Sequence, residues 1–498
     1  MRNPSIGTVF LSLVVLVALG GGRADAVPGP PANDACATPT VIAALPFTDA
    51  IDTTGATVEG GDPGTSTCAC TPDAVGSVWY QFTPAQDGFV SVDTFGSAFD
   101  TVIDVWTGTC GALTAANCDD DFAHSLRSRA LAQVTGGTTY LIEITGCGTG
   151  EQGALHLTVD LVPSAADAKD FDKCQAALKK NAAKLFTTTL KNGSKCTAAL
   201  ANCVELKGSD PVCLGKACGA CGKVFQKFDD VRAATVAKTE AACAANLVPF
   251  AELSKTSGFG FENISARCAS EFDGAVTDTA SAVDCVLEEH TCALSQLLGS
   301  QLPRAHELLG LCGSLPPDLG CIPDHGANGG AIADPAVAKS LTKCTAAVQK
   351  AATAFVVTNL TTLEKCIDSV FTCVQTKPGD DTCIATRGPG GRGGKAEKLC
   401  NAQAAKSQVA EGKVQPAIDK ACAGVSMSTL FDANGGNYGS LVATCATFGV
   451  MVATPADIVE CLDRQHECLT EELGRFAAPR ADALLDLVNI PLHSAFCP

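Results

Sequence analysis

Basic residues are scarce in this sequence. Its 498 residues include 35 Lys and Arg against 53 Asp and Glu, which gives a formal net charge of -18 at pH 7. A nucleic-acid-binding protein needs a basic surface that displaces counterions from phosphates, so this charge argues against that class. The same deficit disfavours an anionic membrane surface as a partner.

Aromatic residues are also few. Phe, Trp and Tyr together make up 5% of the chain, with only 2 Trp. Sugar-binding proteins often use exposed aromatic rings as stacking platforms. Because Trp79 and Trp106 both lie in predicted strands, we expect them to be core residues, and a sugar-binding role is disfavoured.

The sequence lacks the motifs of common secreted hydrolases, H-E-x-x-H and G-x-S-x-G. Cys218-Gly219-Ala220-Cys221 has the spacing of a redox dithiol, but no predicted strand precedes it. His290 and His466 occupy equivalent places in the repeat described below, and we interpret them as helix-surface or helix-end residues. We therefore expect no catalytic residues, no cofactor-binding residues and no enzymatic activity.

The N-terminus has the features of a secretory signal peptide. Arg2 precedes the apolar run VFLSLVVLVAL, which is too short to span a bilayer, and Ala24-Asp25-Ala26 offers small residues to a signal peptidase. The alternative is an uncleaved anchor. We predict a signal peptide at 1–26, no transmembrane segment after its removal, and a secreted, extracellular or periplasmic location in which disulfides are the default state of cysteine.

Cysteine is abundant, with 28 residues, and its distribution divides the chain. Even numbers fall into three segments, so each segment can pair its thiols internally. The predicted domains are residues 27–162, a first helical repeat at 163–323, a linker at 324–336 and a second helical repeat at 337–498.

The second and third segments are two copies of one repeat. Four cysteines of each copy match at a constant offset of 170 residues: Cys174, Cys196, Cys203 and Cys213 with Cys344, Cys366, Cys373 and Cys383. Six further cysteines of each copy match at offsets between 176 and 179. Cys218 and Cys312 of the first copy have no counterpart, so we predict that they bond each other; exchange with the nearby Cys221 is the alternative.

Both copies are predicted to be helical and stapled by disulfides. Apolar residues recur at helical spacing among good helix formers. Asn192-Gly193 suggests a break, but the second copy has Thr362-Leu363 there, so we expect the helix to continue. Cys-x6-Cys occurs twice in each copy and places two cysteines about 10.5 Å apart on one helical face. Since a disulfide needs Cα atoms within about 7 Å, each cysteine must bond to another helix.

Residues 27–162 have the pattern of a β-sandwich, in which short alternating runs are separated by turns. The predicted strands are Ser77–Phe82, Phe89–Thr94, Thr101–Trp106, Thr139–Ile144 and Ala154–Leu161.

The ordered segments ANDACATPT, VWYQFTP, DGFVSVDTFGSAFDTVIDVWTGTCG, CDDD, TTYLIEITG and GALHLTV resemble the bacterial pre-peptidase C-terminal domain over about residues 31–162. The resemblance implies a jelly-roll-like all-β sandwich without catalytic residues, which assists export or binds targets of exported proteins. It also implies a bacterial source, and some related domains bind calcium. The helical repeats resemble no family that we recognise.

Asp119, Asp120 and Asp121 follow Cys118 in a predicted turn. Calcium prefers several oxygen ligands from a compact loop, and Asp93, Asp100 and Asp104 are candidates for further ligands. The sequence therefore predicts a calcium site here, with a solvated acidic turn as the alternative.

Taken together, these features favour a secreted or cell-surface, non-enzymatic binding or structural protein. Its sandwich would recognise an extracellular protein or surface polymer, or assist export, on a disulfide-stapled helical body. A carrier of an apolar ligand in the helical copies is the alternative, and a secreted hydrolase with a dispersed site is the third hypothesis.

Overall fold

A computed structural model describes residues 29–497 apart from 61, 64–67, 69–73, 123–125, 163–164, 256–257, 273, 314–318, 328, 378–379, 385–392, 491 and 493–496. The signal peptide predicted at 1–26 lies outside these residues. No helix in the described ranges is both long enough and apolar enough to cross a membrane.

The N-terminal part is a β-sandwich, as expected. Its strands are β1 (Thr40–Ile42), β2 (Phe47–Asp52), β3 (Ala74–Phe82), β4 (Gly88–Asp93), β5 (Thr101–Thr109), β6 (Ala112–Asp120), β7 (Arg129–Val134), β8 (Tyr140–Cys147) and β9 (Ala154–Leu161). One sheet has the order β1-β3-β8-β5-β6 and the other the order β2-β9-β4-β7. Strand β1 is parallel to β3, and the other pairings are antiparallel.

Alternation along the strands separates two apolar clusters. Val78 and Tyr80 point between the sheets and meet residues such as Val159 of the facing sheet. Trp79 points the other way and packs with Trp106 in a separate cluster on the outer face of the five-stranded sheet. Both indoles are buried, as predicted, but outside the core between the sheets.

The rest of the chain is helical. The helices are α1 (Ala165–Lys207), α2 (Pro211–Ala242), α3 (Phe250–Ser254), α4 (Glu262–Glu271), α5 (Thr279–Gln301), α6 (Ala305–Gly310), α7 (Pro335–Thr376), α8 (Asp381–Ile384), α9 (Lys395–Glu411), α10 (Val414–Cys422), α11 (Met427–Phe431), α12 (Val442–Thr447), α13 (Pro455–Ala477) and α14 (Ala481–Asp486). Helix α1 runs through Gly193 without a break, as its counterpart in the repeat predicts.

The disulfides follow the repeat. Five bonds have the same pattern in both copies: 174–243 with 344–422, 196–221 with 366–400, 203–213 with 373–383, 268–285 with 445–461 and 292–321 with 468–497. Cys218 and Cys312 form the additional bond of the first copy. Each cysteine of the Cys-x6-Cys pairs bonds outside its own pair, but Cys321 and Cys497 lie in non-helical segments, so the expectation of a helix partner is wrong for them.

The two copies pack into one body rather than standing apart. Helices α1 and α7 lie side by side, and one continuous apolar cluster includes Leu178 and Phe186 of the first copy with Val356 and Phe371 of the second. The sandwich contributes Phe122 to the same cluster. The helical body therefore supports the sandwich through a shared buried cluster, which fixes the geometry of the cleft between them.

Candidate functional site at the junction of sandwich and helices

A cleft of about 690 Å³ lies where the sandwich meets the helical body. The sandwich supplies the end of β4 and the loop that follows it, from Asp93 to Ser97, together with Arg127. The helical body supplies Asn263 at the start of α4 and the segment 479–489 around α14. Ligand sites commonly occupy clefts of this size at domain interfaces.

A network of charges holds the floor of this junction. Lys255 Nζ lies 2.6 Å from the Asp160 carboxylate of β9, and Arg480 Nη1 donates to the Gly258 carbonyl at 3.0 Å. Burial raises the pKa of the Asp93 carboxyl, and the positive charges of the neighbouring Arg129 and Arg480 act against this increase. Burial, together with Arg129, lowers the pKa of Arg480 to about 10, so its guanidinium still carries a positive charge at neutral pH.

The walls of the cleft offer donors and acceptors to a ligand. Arg127 Nε donates to the Ser97 carbonyl at 2.5 Å, which orients the guanidinium. Arg475 holds the Asp482 carboxylate through two contacts of 3.1 and 3.0 Å. Asn263 adds a side-chain amide to the lining, and Phe95 and Leu487 add apolar surface. This lining suits a polar ligand with both donors and acceptors.

The predicted calcium residues do not all converge. Asp119 and Asp120 end strand β6 rather than occupying a turn, so their side chains leave opposite faces. The Asp119 carboxylate accepts from the Arg129 backbone N–H at 2.8 Å, which places it at β7. Asp121 follows with a left-handed backbone, φ 60°, and is exposed.

Asp100 and Asp120 are the carboxylates that the fold brings together. Their oxygens and the Cys147 sulfur lie within 4.8 Å of one another, but Cys147 is disulfide-bonded, so its sulfur is no thiolate ligand. Burial, together with repulsion from Asp121, Asp120 and Glu151, raises the pKa of Asp100 to about 6. Of the other candidates, Asp93 lies at the charged junction, and Asp104 is buried on the outer face of the five-stranded sheet, opposite its core neighbours Ile103 and Val105.

Asp104 faces a second acid, Glu143, directly across the β5–β8 pairing. Both side chains are buried, and Trp106 Nε1 donates to Glu143 Oε2 at 2.9 Å. Burial and then repulsion by Asp104 raise the pKa of Glu143 to about 9. Glu143 is therefore neutral at pH 7, which removes the cost of burying two adjacent negative charges.

The two equivalent histidines are buried, so their interpretation as surface residues is wrong. Each Nδ1 pairs with the carbonyl four residues earlier, Val286 for His290 and Leu462 for His466. His466 Nε2 lies 3.0 Å from the Gln301 side-chain nitrogen, which fits a neutral imidazole that accepts a hydrogen bond. Burial lowers the pKa of both histidines to about 4.

Sequence reasoning missed the cleft itself. Its walls come from a sandwich loop near Phe95 and a helix near Arg480, far apart in sequence and without a shared motif. A scan against protein-family models found no match for this chain, and searches of curated proteins and of solved structures found none either.

Proposed function

We propose that this chain is a secreted or cell-surface, non-enzymatic binding protein. In this proposal the sandwich is a module similar to the pre-peptidase C-terminal domain, and the helical body is its rigid support. The signal peptide at 1–26 directs export, and the disulfides of both copies are typical of an oxidising compartment.

The observation that carries the proposal is the 690 Å³ cleft at the junction. Its polar groups are held by contacts within the protein, so a ligand would meet a preorganised surface and lose little affinity to ordering. The cleft uses residues of the sandwich and of both helical copies, so it exists only where the sandwich and the helical body are joined.

The test uses the mature full chain and an array of envelope polymers and proteins. Ala483 lies in the wall of the cleft, so Ala483→Trp should fill the cleft and reduce the amount of chain retained on the array at least tenfold. Ala446→Trp adds the same side chain at an exposed position of α12 and is the matched control. Equal retention of both variants would place binding elsewhere, and no retention by any envelope fraction would contradict the proposal.

A carrier of an apolar ligand is the second candidate. It is favoured by an apolar groove of about 490 Å³ on the second helical copy. Displacement of a fluorescent amphiphile from the full chain tests this candidate, and no displacement by any amphiphile would contradict it.

A further inference from the structure

We propose that the groove on the second helical copy binds the acyl chain of a fatty acid, whose carboxylate pairs with Lys350 and Lys413. This inference rests on the second proposed function and names its ligand class and site. It is independent of the cleft at the sandwich junction.

The groove exists because a helix of the repeat is broken. In the first copy α2 runs unbroken from Pro211 to Ala242, whereas its counterpart ends at Glu411 and resumes at Val414 as α9 and α10. At the offset of 179 residues set by the flanking cysteines, Gly412 and Pro416 replace Ala233 and Ala237. Proline has no N–H and its ring clashes with the carbonyl four residues earlier, which is that of Gly412, so the helix breaks there.

The facing helix is also different in the second copy. Ala351 and Ala354 of α7 line the groove, and their counterparts at the offset of 170 are Asn181 and Lys184. In the first copy Asn181 donates to Thr239 Oγ1 of α2 at 3.1 Å, a hydrogen bond that joins the two helices. Two sets of substitutions on separate helices therefore converge on one apolar groove.

The shape of the groove suits an unbranched chain. Its lining on α7 extends from Ala347 to Thr358, about 16 Å along the axis at 1.5 Å per residue. Phe355 forms part of the wall and also lines a neighbouring cavity of about 190 Å³, which contains Leu363 and Ile490. A flexible acyl tail can follow this path past Phe355 and remove apolar surface from water.

The charges of the groove select an anionic head group. The two walls carry Lys350 on α7 and Lys413 at the helix break. Both are exposed lysines on a chain with a formal net charge of -18, so this pair is a local cationic rim on an acidic protein. Lys413 replaces Ala234 of the first copy, so the second ammonium group is specific to the copy that has the groove.

The experiment measures binding of saturated fatty acids with 8 to 16 carbons, and of the matching fatty alcohols, to the mature full chain by calorimetry. We expect one acid per chain and an affinity that rises up to about fourfold per methylene until the groove is full. The alcohols should bind more weakly, because they lack the charge that the two lysines complement.

Matched variants come from the repeat itself. Ala354→Trp should weaken acid and alcohol at least tenfold, while Lys184→Trp at the equivalent exposed position of the first copy should change neither. Lys350→Glu should weaken only the acid, about fivefold, and the equivalent Lys180→Glu should have no effect.

The outcomes separate the two proposals. If fatty acid binds but Ala354→Trp leaves the affinity unchanged, the chain is a carrier and the groove assignment is wrong. If acid and alcohol bind equally, the lysines do not recognise the head group. If no amphiphile binds, both the carrier function and the groove assignment are overturned.

Discussion

The packing of Gly193 against Leu298 gives the most direct test of the repeat architecture. A Cβ atom on Gly193 of α1 would lie 2.8 Å from Leu298 Cδ1 of α5. In the second copy the arrangement is reversed, because a Cβ on Gly474 of α13 would lie 2.8 Å from Leu363 Cδ2 of α7. Gly193 and Leu363 are repeat counterparts, as are Leu298 and Gly474, so each copy places one glycine against one leucine.

We expect Gly193→Leu and Leu298→Gly to be destabilising singly and compensating together. Gly193→Leu overpacks a buried contact, at a cost of about 1–3 kcal/mol. Leu298→Gly removes a fully buried side chain, which costs about 2–5 kcal/mol for the cavity, and also loses about 1 kcal/mol of helix propensity. The double variant restores the arrangement of the second copy and should lie within about 1–2 kcal/mol of the unmodified chain.

The assay is a double-mutant cycle in which guanidinium unfolds each variant with its disulfides intact, and the helical circular dichroism signal monitors the unfolding. The free energies are compared only among variants that share the same m-value. From these costs the expected coupling energy is at least about 2 kcal/mol and about 5 kcal/mol at their midpoints, at or above the usual upper limit for residues in contact. The reasoning is refuted if the two losses simply add, or if Gly193→Leu alone is as stable as the unmodified chain.

Three further predictions concern protons, sulfur and metal. The buried histidines His290 and His466 have a pKa lowered from 6.5 to about 4, so between these values the unfolded chain binds protons that the folded chain does not. The free energy of unfolding therefore decreases as the pH falls, by about 3 kcal/mol per histidine. Replacing both with Gln should reduce the loss of stability between pH 7 and pH 4.5, and an unchanged loss would contradict this. Replacing Cys218 and Cys312 together with Ala should cost about 2 kcal/mol in the same unfolding assay yet leave the helical spectrum intact, because the second copy folds without this bond. Calcium should raise the melting temperature of the unmodified chain more at pH 7.5 than at pH 5.5, since the pKa of Asp100 is about 6. It should not stabilise Asp100→Asn. Equal stabilisation of the unmodified chain and of this variant would exclude the acidic cluster as the calcium site.

The strands that the sequence revealed are those buried on at least one face. Strand β8, with the segment YLIEITGC, is almost continuously buried, and its apolar run is easily recognised. Strand β6, with ALTAANCDD, is largely exposed and has no apolar alternation, so the sequence predicts a turn at Asp119 and Asp120 where the structure has the end of a strand. Strand β7 uses small alanines on its buried face, which gives a weak signal.

The helical copies were more predictable than the sites, because the repeat supplied an internal comparison. The continuation of α1 through Gly193 followed from Leu363 at the same place in the second copy. The cleft has no such internal control, since Phe95 and Arg480 meet only through packing of the sandwich on the helices. For the groove, Gly412 and Pro416 predict a helix break from the sequence alone. They do not show which face of the broken helix is left open, because that depends on how α7 packs against it.

The interface between the copies shows why a duplicated unit has become a single asymmetric body. Lys179 of α1 is almost fully buried and pairs with Asp368 of α7. Glu364 lies near this pair, and burial, with added repulsion from Asp368, raises its pKa to about 8. At the equivalent place across the interface, Gln349 instead donates to Thr197 Oγ1 at 2.9 Å.

One half of this interface is therefore ionic and the other half neutral. If the second copy paired with another second copy, Asp368 would face Gln349 rather than Lys179. If the first copy paired with another first copy, Ala198 would stand in place of Asp368, and Lys179 would lose its acidic partner on the facing helix. Removing one partner of an ion pair that includes a buried charge is destabilising, so the chemistry of these residues favours pairing of the first copy with the second. That pairing fixes the position of the helices that line both the cleft and the groove, so the two candidate sites depend on the same inter-copy contact.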